Sequence, residues 1–275
     1  MSKRLSALLV IIHMKYLLSI LITTSFLSRD AAAQQPTSDP QSIFGGRVSI
    51  INADSLIQRR LQYWKPYYDR ICTLANIPVF DSSRQSFHLR IYSAAQLIDF
   101  FETSPSVYSG VLYQWTREYV PLPEPSTGRI YCLQQPLTPY QIDRLLQLWR
   151  SSGMDTLRSQ EKIKGWDTGL DGLTYVFESV DKGIYLFRSY WTPHEESNIA
   201  EERLVFRFLD SCFSLAGGKA LNATFTATIP FYGSTNETGT VRTRVVTAKQ
   251  YRHMKRERKR YRKKARQATD SGSHF

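Results

Sequence analysis

Positive charge in this chain is crowded into its C-terminal end. Residues 241–275 hold 13 Lys and Arg against two acidic residues, whereas the other 240 residues hold 23 against 22. A dense run of like charges cannot be taken out of water without partners, so it cannot join an apolar core. The globule must therefore be assembled from the nearly neutral remainder. Ten of the fifteen residues from Arg252 to Arg266 are basic: Arg252, Lys255, Arg256, Arg258, Lys259, Arg260, Arg262, Lys263, Lys264 and Arg266. The residue types favour helix, and Tyr251, Met254, Tyr261, Ala265 and Ala268 would form a thin stripe along one. Like charges four residues apart, such as Arg252 with Arg256 and Lys259 with Lys263, oppose it. The expectation is a basic tail over 248–275, helical or disordered, whose ten cations bind anionic surfaces in a strongly salt-dependent way.

The chain opens on an apolar run from Leu5 to Leu27, interrupted by His13 and Lys15. Both residues sit badly in a hydrocarbon core. Read from Met14 the segment resolves into a short positive end, an apolar stretch from Tyr16 to Leu27, and the small residues Ala31-Ala32-Ala33 that a signal peptidase needs. Residues 1–33 therefore read as a signal peptide, with Met14 as the true start, and an uncleaved anchor as the rival reading. Residues 34–46 read as a polar spacer.

The remainder, 47–247, is long enough for one domain with a substantial core. A chain with 42% hydrophobic and 13% aromatic residues is not disordered as a whole. Asp54 or Ser55 caps a helix with a stripe through Ile57, Leu61, Trp64, Tyr68, Ile71 and Ala75, which Pro66 should kink or divide. Alternation marks strands at Phe87–Tyr92, Val107–Val120 and Arg129–Leu133. Leu97–Phe101 reads as a short helix. Thr138, Pro139 and Gln141 form a capping box ahead of Ile142, Leu145, Leu146 and Trp149, which lie on one helix face. Two aromatic, β-branched runs flank Asp181-Lys182-Gly183 and read as a hairpin with a three-residue loop. Glu195 and Glu196 open a further helix that ends at Gly217-Gly218. Ala223–Phe231 and Thr240–Thr247 read as a last strand pair. The fold class expected is α+β, a mainly antiparallel sheet with packed helices.

Signatures of chemistry are sparse. No two histidines stand at metal-ligand spacing, and Cys72, Cys132 and Cys212 form no Cys-x-x-Cys, so no metal or cofactor is expected. The cysteines read as buried small side chains, with one disulfide plus a free thiol as the alternative after export. Asp171, Glu178, His194 and Glu195 gather near one end of the hairpin in sequence and are the candidate catalytic residues. Each also has a plainer reading: Asp171 as a turn residue, Glu178 as the solvent-facing alternate of a strand, and His194 and Glu195 as a helix start. Asn222-Ala-Thr224 and Asn236-Glu-Thr238 match the N-glycosylation pattern and read as ordinary turn and strand residues.

The order of parts over 138–215 is a Leu-Thr-Pro helix start, Asp171-Gly172 before a hairpin, Ser189-Tyr190-Trp191-Thr192-Pro193, then a helix. It resembles a domain that recurs in uncharacterised exported bacterial proteins. The resemblance implies export and an α+β fold and assigns no functional residue. The expected function is that of a secreted or periplasmic, non-enzymatic binding or envelope-associated protein. Its tail would contact lipid head groups, lipopolysaccharide or acidic glycan in preference to nucleic acid, without a stable transmembrane span after processing. The alternative is a periplasmic hydrolase built on the 171–195 region.

Overall fold

The structure, a computed structural model, describes residues 49–50, 55–81, 86–169, 171–236 and 239–271. The leader, the spacer and the processing site expected in them lie outside these residues. Five helices and nine strands are described. The strands are β1 (Ser49–Ile50), β2 (Phe87–Tyr92), β3 (Gln96–Ser104), β4 (Val107–Tyr119), β5 (Ile130–Pro136), β6 (Thr174–Asp181), β7 (Ile184–Trp191), β8 (Gly233–Thr235) and β9 (Val241–Thr243). They form one sheet in the order β1-β7-β6-β2-β3-β4-β8-β9, with β5 also paired to β4. All pairs are antiparallel except β1 with β7. Arg117 of β4 opposes both Ile130 and Thr235, so β5 takes one side of β4 and β8 continues the side of β3. The α+β class expected from the sequence is the class found.

Both faces of this sheet are covered, and every residue of β2 is buried. Side chains alternate across a strand, so each face collects every second residue. Phe87, Leu89, Ile91, Ile98, Phe100, Leu112 and Phe177 point toward α2 (Pro139–Ser151) and α3 (Ala200–Leu215). Those helices complete the core with Ile142, Leu145, Trp149, Val205, Phe208 and Leu209. Each such side chain, fully buried, contributes about 1.5–3 kcal/mol. The opposite face lies under α1 (Ser55–Ala75) and collects polar residues, described below. Arg188 stands on the core side with its guanidinium 5.0 Å over the Trp149 ring. It donates to the carbonyls of Met154 and Leu157, tying the loop after α2 to the sheet.

Local chemistry explains most of these elements. Thr138 and Gln141 make both bonds of the capping box at the start of α2. The β6–β7 loop has two residues rather than three: Asp181 pairs with Ile184, and Lys182 and Gly183 adopt φ of 49° and 79°. Two consecutive positive φ values define the turn that matches the strands' right-handed twist. Pro66 neither ends nor divides α1, which is one helix of 21 residues. Its missing N–H costs a hydrogen bond, and burial of Leu61, Tyr68, Ile71 and Cys72 offsets that loss.

Three expectations are corrected. Leu97–Phe101 is strand, not helix, because β3 pairs along its length with both β2 and β4. Ala223–Phe231 is mainly helix: α4 runs Gly218–Thr228 and buries Leu221 and Phe225. Glu195 and Glu196 do not open α3, which begins at Ala200 with Glu201 and Glu202 in its first turn. Glu202 accepts hydrogen bonds from the His194 backbone N–H at 3.1 Å and the Ser197 hydroxyl at 2.7 Å.

The outer edge of β7 is closed by several devices. β1 pairs with Ile184 and Tyr185. Farther along, the Ser159 hydroxyl accepts the Ser189 N–H at 3.0 Å, and the Gln160 side chain accepts the Trp191 N–H. Both come from a segment ending in a short 3-10 turn, Gln160–Lys162. No described helix is long and apolar enough to cross a membrane.

Candidate functional site

The basic segment is a helix seated on the globule. α5 (Ala248–Ser271) starts with a second capping box: the Thr247 N–H donates to Gln250 Oε1 at 2.8 Å, and the Gln250 N–H donates to Thr247 Oγ1 at 3.3 Å. Three residues of the stripe read from the sequence meet the globule, whereas Ala265 is exposed. Tyr251 meets the Tyr232 ring edge-to-face at 5.1 Å, Met254 is half-buried, and Tyr261 packs against the Arg129 guanidinium at 5.0 Å.

The centre of the contact is a charge. Arg258 is 2% exposed, with Nε 3.1 Å from Glu118 and Nη1 3.1 Å from Glu124. Glu118 is also held by the Thr127 hydroxyl at 2.7 Å and by Arg129 at 3.7 Å. Glu124 is shared with Lys255 at 3.8 Å and Arg262 at 3.6 Å, and Arg262 donates to the Pro125 carbonyl. Of the ten cations expected to bind anionic surfaces, Arg258 is consumed inside the fold, and Arg262 and Lys255 lean on the same glutamate. The globule is neutral in sum, yet Glu118 and Glu124 lie where one helical cation can reach both.

The remaining cations face away. Arg260 pairs with Glu257 at 2.6 Å on the exposed surface. Arg252, Arg256, Lys259, Lys263, Lys264 and Arg266 are exposed and make no ion pair among the described residues. At about 100° per residue, all of these but Lys264 fall within an arc of roughly 120° on the helix surface, with Lys249 and Lys255 beside them. Beside Glu124, Lys249, Arg252, Lys255, Arg256, Lys259 and Arg262 line an open groove of about 840 Å³. Each turn of the helix thus presents cations to the same side. The arrangement suits repeated anionic groups met along a line or a plane, and among the described residues lining the groove no aromatic side chain offers a stacking surface for bases.

Of the candidate catalytic residues, His194 and Glu195 share one cleft and Glu178 lies in a different environment. Asp171 is exposed. His194 and Glu195 are exposed after β7, in an open cleft of about 550 Å³ whose other polar lining includes Glu196 and Glu202. Glu195 approaches Arg207 at 3.9 Å, with both side chains mostly in solvent. Glu178 lies apart from them and is 1% exposed, not the solvent-facing alternate of its strand. Its carboxylate accepts the hydroxyls of Tyr92 at 3.0 Å and Tyr185 at 2.9 Å, and Lys65 of α1 stands 3.8 Å away.

Glu178 belongs to a polar network beneath α1 that the sequence reading missed. Lys65 bonds both oxygens of Asp69 at 3.0 Å, so one ammonium serves two carboxylates. Burial disfavours its charge, but Glu178 and Asp69 outweigh that, and its pKa is raised. Arg90 donates to Asp99 at 2.8 Å, to the Pro78 carbonyl at 2.6 Å and toward the Tyr92 hydroxyl at 3.4 Å. His88 Nε2 meets the other Asp99 oxygen at 2.6 Å. Burial pushes the Asp99 pKa up, yet Arg90 and His88 together overcome it and hold the carboxyl below its ordinary value. Cys72 lies 3.9 Å from Arg90, and burial still pushes its thiol up to about 11. Asp69 at its margin is 30% exposed, while the buried carboxylates of Glu178 and Asp99 are satisfied by their neighbours, so the network ties α1 to the sheet. A signal was present: His88-Leu-Arg90-Ile-Tyr92 sets polar groups on every second position, which demands partners wherever that face is covered. Among the described residues no three His, Cys, Asp or Glu side chains gather as a metal site.

Comparison of the chain with protein-family models, with curated proteins and with solved structures finds no match.

Proposed function

We propose that this is a non-enzymatic, exported binding protein whose α5 helix adheres to the anionic surface of the cell envelope. The observation that supports the reading is the seated helix: an ion-paired inner face fixes its orientation, and six exposed cations that make no ion pair among the described residues project outward. Seating removes much of the ordering cost that a disordered basic tail would incur on binding. Export rests on the leader and on the resemblance of 138–215 to exported bacterial proteins. The anion in this reading is a phosphate or carboxylate displayed by lipid head groups, lipopolysaccharide or acidic glycan.

Cosedimentation with vesicles containing phosphatidylglycerol, against vesicles of phosphatidylcholine alone, tests it. Each cation near an anionic lipid surface contributes about 1 kcal/mol. Reversing four of them, in Arg252→Glu/Arg256→Glu/Lys259→Glu/Lys263→Glu, should weaken binding about a thousandfold or more, and raised salt should weaken the parent. Equal binding to both vesicle types, or an unaffected quadruple variant, would refute the reading. Duplex DNA competing at lower concentration than anionic vesicles would point to nucleic acid instead.

A further inference from the structure

We propose that the cleft between the Ser93–Gln96 turn, α3 and α4 is a binding site for a neutral carbohydrate. It encloses about 420 Å³ and includes no residue of α5. That volume lies in the range of small-molecule sites, which are typically a few hundred Å³ with apolar walls and a few fixed polar groups.

The walls carry three half-buried aromatic rings, Tyr175, Phe206 and Phe213. The polar groups are three amides in relay. Gln96 Nε2 donates to Gln114 Oε1 and to the Gly218 carbonyl, both at 3.0 Å, and Gln114 Nε2 donates to Asn222 Oδ1 at 2.5 Å. Gln114 is 5% exposed and spends its hydrogen bonds on orienting its neighbours. The relay leaves Gln96 Oε1 as an acceptor and Asn222 Nδ2 as a donor, neither with a partner among the described residues. Donors and acceptors linked in this way polarise one another, so both ends are stronger partners than isolated amides.

The ligand class follows from what this lining can satisfy. A sugar ring presents C–H faces to aromatic rings and hydroxyls that both donate and accept, which answers both ends of the relay. Asp210 and Lys219, also in the lining, cancel in charge, so the cleft selects neither an anion nor a cation. A wholly apolar ligand would cover Gln96 and Asn222 and leave their amides unpaired, which is costly.

Saturation-transfer NMR on the full chain tests the proposal, with glucose, N-acetylglucosamine and their β-1,4-linked dimers as probes, and glycine and glucuronate as charged controls. The expected result is transfer to ring C–H protons of at least one neutral sugar at millimolar concentration. Asn222→Ala should weaken that binding about tenfold by removing the free donor, and Phe213→Ala should weaken it by removing a ring face. Asn222 is exposed on α4, so an unchanged circular dichroism spectrum verifies that this variant folds. Absence of transfer from all neutral sugars, transfer that both variants leave unchanged, or preference for glycine or glucuronate would overturn the proposal. Vesicle binding by α5 is read separately, so either result stands without the other.

Discussion

Arg258→Ala removes the charge at the middle of the α5 contact. Arg258 is 2% exposed and spans Glu118 and Glu124 at 3.1 Å each. Deleting one partner of a buried ion pair costs about 3–5 kcal/mol, most of it from the charge left behind. Here the stranded carboxylates keep other partners: Glu118 retains Thr127 and Arg129, while Glu124, 30% exposed, retains Lys255 and Arg262. The cost therefore falls to about 2–3 kcal/mol, a roughly 30- to 150-fold rise in the undocked population. An undocked α5 loses its helical shape, because its like charges repel at i,i+4 and its packing is gone. Limited trypsin digestion reads this population when opening is fast relative to cleavage. Tail cleavage in Arg258→Ala should accelerate by that factor. Lys259→Ala, which removes an exposed cation that makes no ion pair among the described residues, should digest like the parent. Equal rates for Arg258→Ala and the parent would refute the role assigned to this ion pair.

Two further outcomes concern the body. Because the folded Asp99 carboxyl lies below its ordinary 3.8, its contribution to stability is fully present above that pH and fades as pH falls through the folded value. In urea unfolding, the stability gap between the parent and Asp99→Asn should therefore shrink as pH falls below about 4, and a gap constant with pH would contradict the assignment. Burial pushes the thiols of Cys72 to about 11 and Cys132 to about 12, and raises that of Cys212 as well. All three should resist a thiol reagent at neutral pH until the chain unfolds; rapid labelling of any one in the native protein would count against the packing described around it.

The sequence was most legible where a local rule had no tertiary competitor. The Thr138–Gln141 box and the β6–β7 hairpin needed only neighbouring residues to declare themselves. The same capping box at Thr247–Gln250 favours helix locally, against the charge repulsion in the residues that follow, and seating on the globule decides between them. α4 misled through its threonines, which favour strands on average. Here Thr224 and Thr228 bond the carbonyls of Ala220 and Thr224 along the helix, so their hydroxyls are satisfied locally. Glu178 shows a deeper limit. Alternation reports two faces but not whether both are covered, and α1 covers the second one from more than a hundred residues away in sequence. The amide relay of Gln96, Gln114 and Asn222 is likewise assembled from three separate elements, and no local pattern announces it.

The closed margin of β7 bears on how molecules of this protein meet one another. A bare strand margin recruits whatever extended peptide drifts past, and chains joined that way grow into fibrils. With Ser159, Gln160 and β1 already holding positions along that margin, an incoming chain finds few bonding groups to grip. Copies of this protein are thereby kept from polymerising along the β6–β7 hairpin.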